Sequence, residues 1–199
     1  MVEQDATMAF PSPFSEPLKT SRLLLFPVRD EDEPWLQAMM ELPEVNDTTL
    51  IIPSPCPKGF ARGWIETVHQ NNLAGNSYTF AVRHEKVPIG AIFLVLNAAH
   101  AHAELGYFLD PAFWNKGYCS EAAAEMLRFA FETLVLNRVF AVYISTNPAS
   151  GKVMRKIGMI YEGCRRKHVR KCGAFFDLEQ YGILRDEWLQ KAGREVTIG

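Results

Sequence analysis

The chain has 199 residues, 48% hydrophobic and 22% charged, the balance of a globular protein with one sizeable core. Its 21 Lys+Arg against 23 Asp+Glu give a formal net charge of -2 with both signs interspersed, so no global positive field favours nucleic acid or an anionic membrane surface. No apolar stretch approaches the ~20 residues of a membrane helix, and the first ten residues lack a basic-then-apolar signal pattern, which makes a cytoplasmic chain the expectation.

Residues 1–19 are punctuated by proline without a stable period and read as a poorly ordered extension. Residues 22–28 (RLLLFPV) form an apolar run that reads as a first strand, with Pro27 at an edge or at its end. Over residues 30–40 a helix starts, with Asp30 or Asp32 as cap, Pro34 in the first turn and Trp35, Leu36 and Met39 on one face. The three prolines of residues 51–59 (IIPSPCPKG) demand a loop, and residues 59–73 resume helical spacing through Phe60, Trp64, Ile65 and Val68. NSYTFAVR alternates as a strand, turns over HEKV and returns as PIGAIFLVLN, a hairpin.

Residues 102–109 (HAELGYFL) read as another strand, which Asp110-Pro111 ends. The clearest helix spans residues 116–134, its apolar face set by Ala122, Met126, Phe129, Ala130 and Leu134. A strand over residues 138–144 follows, then Asn147 and Ser150 open a short helix that turns Val153, Met154 and Ile157 inward and ends at Gly158. Residues 159–165 and 175–184 read as closing strands. The order is that of one α+β domain over residues 20–190, a mixed sheet of about seven strands with about four helices, and residues 191–199 form a tail.

Chemistry concentrates where the strand over residues 102–109 runs through Asp-Pro into WNKGYCSEA. Gly117, with the small Cys119 and Ser120, lets successive backbone N–H groups face one concavity at a helix amino terminus, a geometry that binds phosphate. The segment is neither a Walker loop nor GxGxxG, which favours the pyrophosphate of another carrier over a triphosphate or a dinucleotide. The alternative is that Gly117 only permits a tight strand-to-helix turn.

Three segments in one order carry a resemblance: RLLLFPVRDED, then ELGYFLDPAFWNKGYCSEAAAEMLRFAF, then LNRVFAVYISTNPASGKVMRKIGMIYEG. Together they resemble the GNAT superfamily of acetyl-CoA-dependent N-acetyltransferases, specifically its ribosomal-protein N-terminal acetyltransferase (Rim-type) branch, over about residues 20–188. The resemblance implies the GNAT fold with a mostly antiparallel mixed sheet, acetyl-CoA as acetyl donor and no metal. The acceptor it implies is a primary amine, first a protein or peptide α-amino group, with a small amine or antibiotic as the alternative. A non-catalytic acyl-CoA-binding module is a further alternative.

The pantetheine arm would then enter between the strand ending at Leu109 and the strand over residues 139–143, pairing with the backbone of Gly106, Tyr107, Phe108 and Leu109 as an added strand does. The pyrophosphate would rest on N–H groups of Trp114, Asn115, Lys116, Gly117, Tyr118, Cys119 and Ser120, with Lys116 supplying charge. Asn147 would bond the cofactor arm, a role compatible with capping the following helix. Lys152 and Arg155 either reach phosphate oxygens or form that helix's solvated face. Trp114 departs from the Gln or Arg usual at the loop's start, and Met154 stands where many members carry a Tyr that protonates the departing thiolate.

The Rim-type branch instead has a Ser one helical turn earlier, which Ser150 matches. Its role is to donate to the coenzyme A sulfur, or else to satisfy a backbone N–H at the helix start. Glu104 occupies the position where a carboxylate often acts as general base, or else is a structural strand residue bonded to a neighbouring loop; Glu66 is the weaker candidate. The N–H of Tyr107 or Phe108 would polarise the thioester carbonyl. The loop with Pro53, Pro55 and Pro57 and the helix over residues 60–73 would line the acceptor groove.

The other reactive residues point to less. His100 and His102 lack a carboxylate or Cys at ligand spacing, and Cys56, Cys119, Cys164 and Cys172 form no CxxC pair, so neither zinc nor a disulfide framework is expected. Cys119 reads as the small residue the loop requires. The run RRKHVRK over residues 165–171 is the one dense basic patch, either a solvated hairpin or an attractor of an acidic partner such as RNA. Edges of the closing strands could pair in a homodimer.

Overall fold

The computed structural model describes residues 16–191 and Gly193. Expectations for residues 1–15, 192 and 194–199 lie outside the described residues. Strands β1 (Leu18–Lys19), β2 (Leu23–Pro27), β3 (Ser77–His84), β4 (Val87–Asn97), β5 (His102–Leu109), β6 (Arg138–Ile144), β7 (Ile160–Lys171) and β8 (Ala174–Leu184) form one sheet in the order β1-β2-β3-β4-β5-β6-β8-β7. Only β5 and β6 run parallel; every other neighbouring pair is antiparallel. Six helices flank it: α1 (Glu33–Met40), α2 (Pro43–Asn46), α3 (Phe60–Leu73), α4 (Tyr118–Arg128), α5 (Pro148–Lys156) and α6 (Arg185–Lys191).

Alternation along the strands sends side chains to two cores. Tyr78, Phe80, Ile92, Leu94, Ala103 and Leu105 pack with Met126, Phe129 and Ala130 of α4 and its last turn, and with Met154 of α5. Ala81, Ala91 and Phe108 face the other way, against Leu36 and Met40 of α1 and Ile65 and Val68 of α3. Glu104, Gly106 and Phe108 therefore share the α3 face, whereas Ala103, Leu105 and Tyr107 share the α4 face.

The expected elements are present, and the additions have local causes. Pro27 is the last residue of β2, and its side away from β3 is free because β1 reaches only Leu24 and Leu25. Leu18 and Lys19, assigned from sequence to the extension, belong to the sheet: Glu121 accepts from Thr20, Ser21 and the backbone of Arg22 and so ties the following turn to α4. Asp32 stands at the N-cap of α1, but its carboxylate bonds no backbone N–H of that helix; it accepts instead from the Arg29 N–H (2.9 Å), the Trp35 indole (2.7 Å) and Arg83 (2.8 Å). The four residues of α2 are too few to show a helical period. Strand β7 runs on to Lys171, beyond the residues 159–165 read from sequence, because bulges in it break the alternation.

Candidate active site

Strands β5 and β6 pair at His102↔Arg138, Ala103↔Val139 and Glu104↔Phe140, and then part. Strand β5 stays bonded to β4 as far as Leu109, and β6 to β8 as far as Ile144. Over residues 105–109 the side of β5 that faces β6 has no strand partner. A cleft of about 630 Å³ opens at this fork, walled by residues 104–109 of β5, residues 142–144 of β6, the start of α4, the inner face of α5 and the loop of residues 48–51.

The α4 end of the cleft is a tightly pinned turn. Asp110 Oδ1 accepts the Ala112 N–H at 2.8 Å, and the Trp114 indole donates to the Leu109 carbonyl at 2.8 Å. Trp114 thus acts as a side-chain staple, and its own N–H is taken by the Pro111 carbonyl (3.1 Å), so it leaves the set of N–H groups expected to face phosphate. Asn115 (φ 60°) and Gly117 (φ 81°) adopt left-handed backbone, which turns the chain into α4. The first-turn N–H groups of Tyr118, Cys119 and Ser120 have no carbonyl one turn back to receive them.

Cations surround this turn, and not all are the expected ones. A Cβ on Gly117 would stand 3.4 Å from the Arg22 guanidinium and 3.7 Å from the Lys156 ammonium. Lys152 and Lys156 line the cleft, while Arg155 donates to the Tyr181 hydroxyl (2.8 Å) and Lys116 rests over the Phe113 ring (5.2 Å), outside the cleft wall. Arg22 lies over Tyr118 and is gripped by Glu121 (2.7 Å). Burial pushes the Glu121 carboxyl up, but hydrogen bonds from Thr20, Arg22 and Ser21 outweigh it and hold it at about 2. Cys119 lines the cleft with its thiol pushed up by burial, so the helix terminus does not activate it.

At the fork itself Glu104 is half-buried and lines the cleft, and its carboxylate makes no hydrogen bond among the described residues. Burial pushes its carboxyl up, with the Arg165 charge opposing. Across the cleft, Ser150 begins α5. Asn147 accepts the Ser150 N–H (3.4 Å) and donates from Nδ2 to Ser150 Oγ (3.0 Å) and to the Thr48 carbonyl (3.4 Å). Ser150 Oγ is thereby an acceptor, and its own proton has no acceptor among the described residues. Tyr107 donates to the Ser150 carbonyl at 3.1 Å, and Met154, 1% exposed, offers no proton. Phe93 lies directly over Gly106, where a Cβ would sit 2.2 Å from the ring.

The residues expected from sequence to line an acceptor groove lie largely outside the cleft. Residues 48–51, just before the prolines, line the cleft; Pro53, Pro55 and Pro57 line neither cavity, and α3 reaches only a smaller cavity of about 240 Å³ beside Ile51 and Phe93. The prolines stop regular structure, and Leu50 and Ile51 before them stay exposed where they line the cleft. Glu66 is on the exposed face of α3 and lines neither cavity. The His100 and His102 rings stack at 6.0 Å, and among the described residues no group of three potential ligands surrounds a metal position.

Forked parallel strands, an N–H-rich turn and a cation-lined cleft define the class, an acyltransferase. The chain matches the acetyltransferase (GNAT) domain over residues 22–160 and belongs to that family. It is 32% identical over 173 residues to the uncharacterized N-acetyltransferase YnaD of Bacillus subtilis (strain 168), covering 86% of this chain and 98% of that protein. The acetyltransferase (GNAT family) from Bacillus anthracis superposes with a TM-score of 0.72 at 26% identity, over 85% of this chain and 99% of that one. RimL, a ribosomal L7/L12 α-N-protein acetyltransferase in complex with coenzyme A, shares the fold with a TM-score of 0.77 at 18% identity, over 86% of this chain and 99% of that one. The protein is an N-acetyltransferase with an α+β GNAT fold of eight strands and six helices in its described residues. None of those helices is long and apolar enough to cross a membrane.

Proposed function

We propose that the protein moves acetyl from acetyl-CoA to the α-amino group of a protein or peptide, in the manner of the Rim-type branch, by direct attack in a ternary complex formed within residues 20–190. The observation that carries the proposal is Glu104, a half-buried carboxylate without a hydrogen-bond partner at the point where β5 leaves β6. When bound, the acetyl thioester supplies an activated acyl group. The free edge of β5 at Gly106, Tyr107, Phe108 and Leu109 receives the amide-bearing arm as an added strand would be received. The N–H groups of Asn115, Lys116, Gly117, Tyr118, Cys119 and Ser120 and the ammonium groups of Lys152 and Lys156 take the pyrophosphate. Trp114 holds that turn through its indole, and Asn147 holds Ser150.

An α-amino group with a pKa of about 8 is partly neutral at physiological pH, so a modest base suffices. Glu104, raised by burial, takes the amine's proton, directly or through a water. The N–H of Tyr107 or Phe108 polarises the carbonyl, and the Ser150 hydroxyl donates to the departing sulfur. Free-thiol release with peptides of varied first residue, polyamines and aminoglycosides tests this, with Glu104→Gln and Ser150→Ala alongside. Turnover on a peptide class, cut about 100-fold by Glu104→Gln with acetyl-CoA still bound, is the expected result. Preference for a small amine would assign the acceptor to the alternative class, and acetyl-CoA binding without turnover on any amine would make the protein a non-catalytic module.

A further inference from the structure

We propose that the basic bulge of β7 is a specificity element that docks acidic residues following the acceptor's amino group, so that the preferred acceptors are peptides with acidic amino-terminal segments. The proposal rests on the α-amino acceptor described above. Between Arg165 and Val169 the ladder of β7 with β8 is broken, so residues 166–168 leave it, with Lys167 in left-handed backbone at φ 48°. Arg166, Lys167, His168 and Arg170 are exposed.

The bulge adjoins the acceptor side of the cleft at both ends. Leu178 of β8 pairs with Ile144 of the cleft wall on one side and with Arg165 on the other. Two strand spacings, about 10 Å, separate Arg165 from that wall, and its charge acts on Glu104. At the far end the Lys171 ammonium bonds the carbonyls of Asn46, Thr49 and Ile52, the last at 3.0 Å, and so fixes the hairpin tip to the loop of residues 48–51. A chain leaving the cleft past this loop meets the bulge.

The charges there are available. Residues 165–171 hold five Lys or Arg and no acid. Lys171 is spent on carbonyls and Arg165 donates to Gln180 (2.6 Å), but Arg166, Lys167 and Arg170 form no ion pair among the described residues. Of the nearby carboxylates Glu162 is ion-paired with Arg138. Asp177 and Glu179 accept from the neutral Lys167 N–H (2.7 Å) and Tyr161 hydroxyl (2.8 Å) and keep their charge, two against the three free cations of the bulge. Glu104 is the only carboxylate lining the cleft, and none lines the smaller cavity, among the described residues. A polycationic acceptor would meet like charge here, whereas an acidic segment is steered in.

The test compares two peptides with the same first residue, one acidic and one neutral over the next seven positions, on the whole protein and on the variant Arg166→Glu/Lys167→Glu/Arg170→Glu. The wild type is expected to favour the acidic peptide by about tenfold in kcat/KM, mostly through KM, and the preference should vanish in the variant and weaken as salt rises. Equal use of the two peptides, or preference for spermidine, would overturn the proposal. So would a variant that self-associates with its selectivity intact, since charges and a bulge also guard an edge strand. Affinity for a short RNA that the variant loses, with peptide selectivity unchanged, would likewise overturn it. Binding of the fluorescently labelled acidic peptide, read by anisotropy, keeps the test independent of turnover: binding lost in the variant supports docking even if no amine is acetylated, and no binding to the wild type refutes it.

Discussion

Glu104 and Ser150 face the cleft, and their chemistry is where single substitutions speak most directly. Because burial raises the Glu104 carboxyl, the acid limb of kcat, measured with an acceptor amine of low pKa, should lie above the ordinary carboxylate range. Arg165 favours the ionised form, so Arg165→Gln should move that limb to still higher pH; a limb unmoved by the substitution would separate Glu104 from the base. Glu104 and Ser150 were both named from sequence through the family resemblance, and both line the cleft. Lys156 was not singled out, although it lies one helical turn from Lys152 on the same face, whereas Arg155 turns toward Tyr181. The double variant Lys152→Met/Lys156→Met is expected to weaken acetyl-CoA binding by about tenfold, as calorimetry would read.

Whole elements depend on two charged staples that periodicity could not reveal, because each joins segments far apart in the chain. Glu121 binds the β1–β2 turn to α4 and is held at about 2 in the folded state, below its ordinary 4.5. A carboxylate depressed in this way contributes stability above 4.5 and loses it as the pH falls toward 2. Glu121→Gln should therefore lower Tm most at neutral pH, with the gap to wild type closing across that acid range; a pH-independent gap would mean its charge contributes nothing. Lys171, read from sequence as part of a solvated or partner-binding patch, is instead the cap of three carbonyls in the α2 loop. Lys171→Met is expected to cost about 2 kcal/mol by denaturant unfolding and to raise the acceptor's KM, because those carbonyls lose their donor and the cleft wall loosens. Elements as short as β1 and α2 carry no period to detect, and α6 follows β8 without a separating loop.

At the scale of the whole molecule, the element order was legible but the pairing that creates the site was only implied by resemblance. Hydrophobic alternation marks β5 and β6 as strands, yet nothing in it says that they run parallel and separate after Glu104. That fork results from β5 following β4 while β6 follows β8, and it leaves a free backbone edge beside the N–H-rich turn of α4. The central claim is that this edge and this turn receive the acetyl donor. Amide hydrogen exchange with and without coenzyme A tests it most directly. Slower exchange at Gly106, Tyr107, Phe108 and Leu109 and across residues 115–120, with β2 and β3 unchanged, is the predicted result. Coenzyme A binding that leaves those amides unprotected would contradict it.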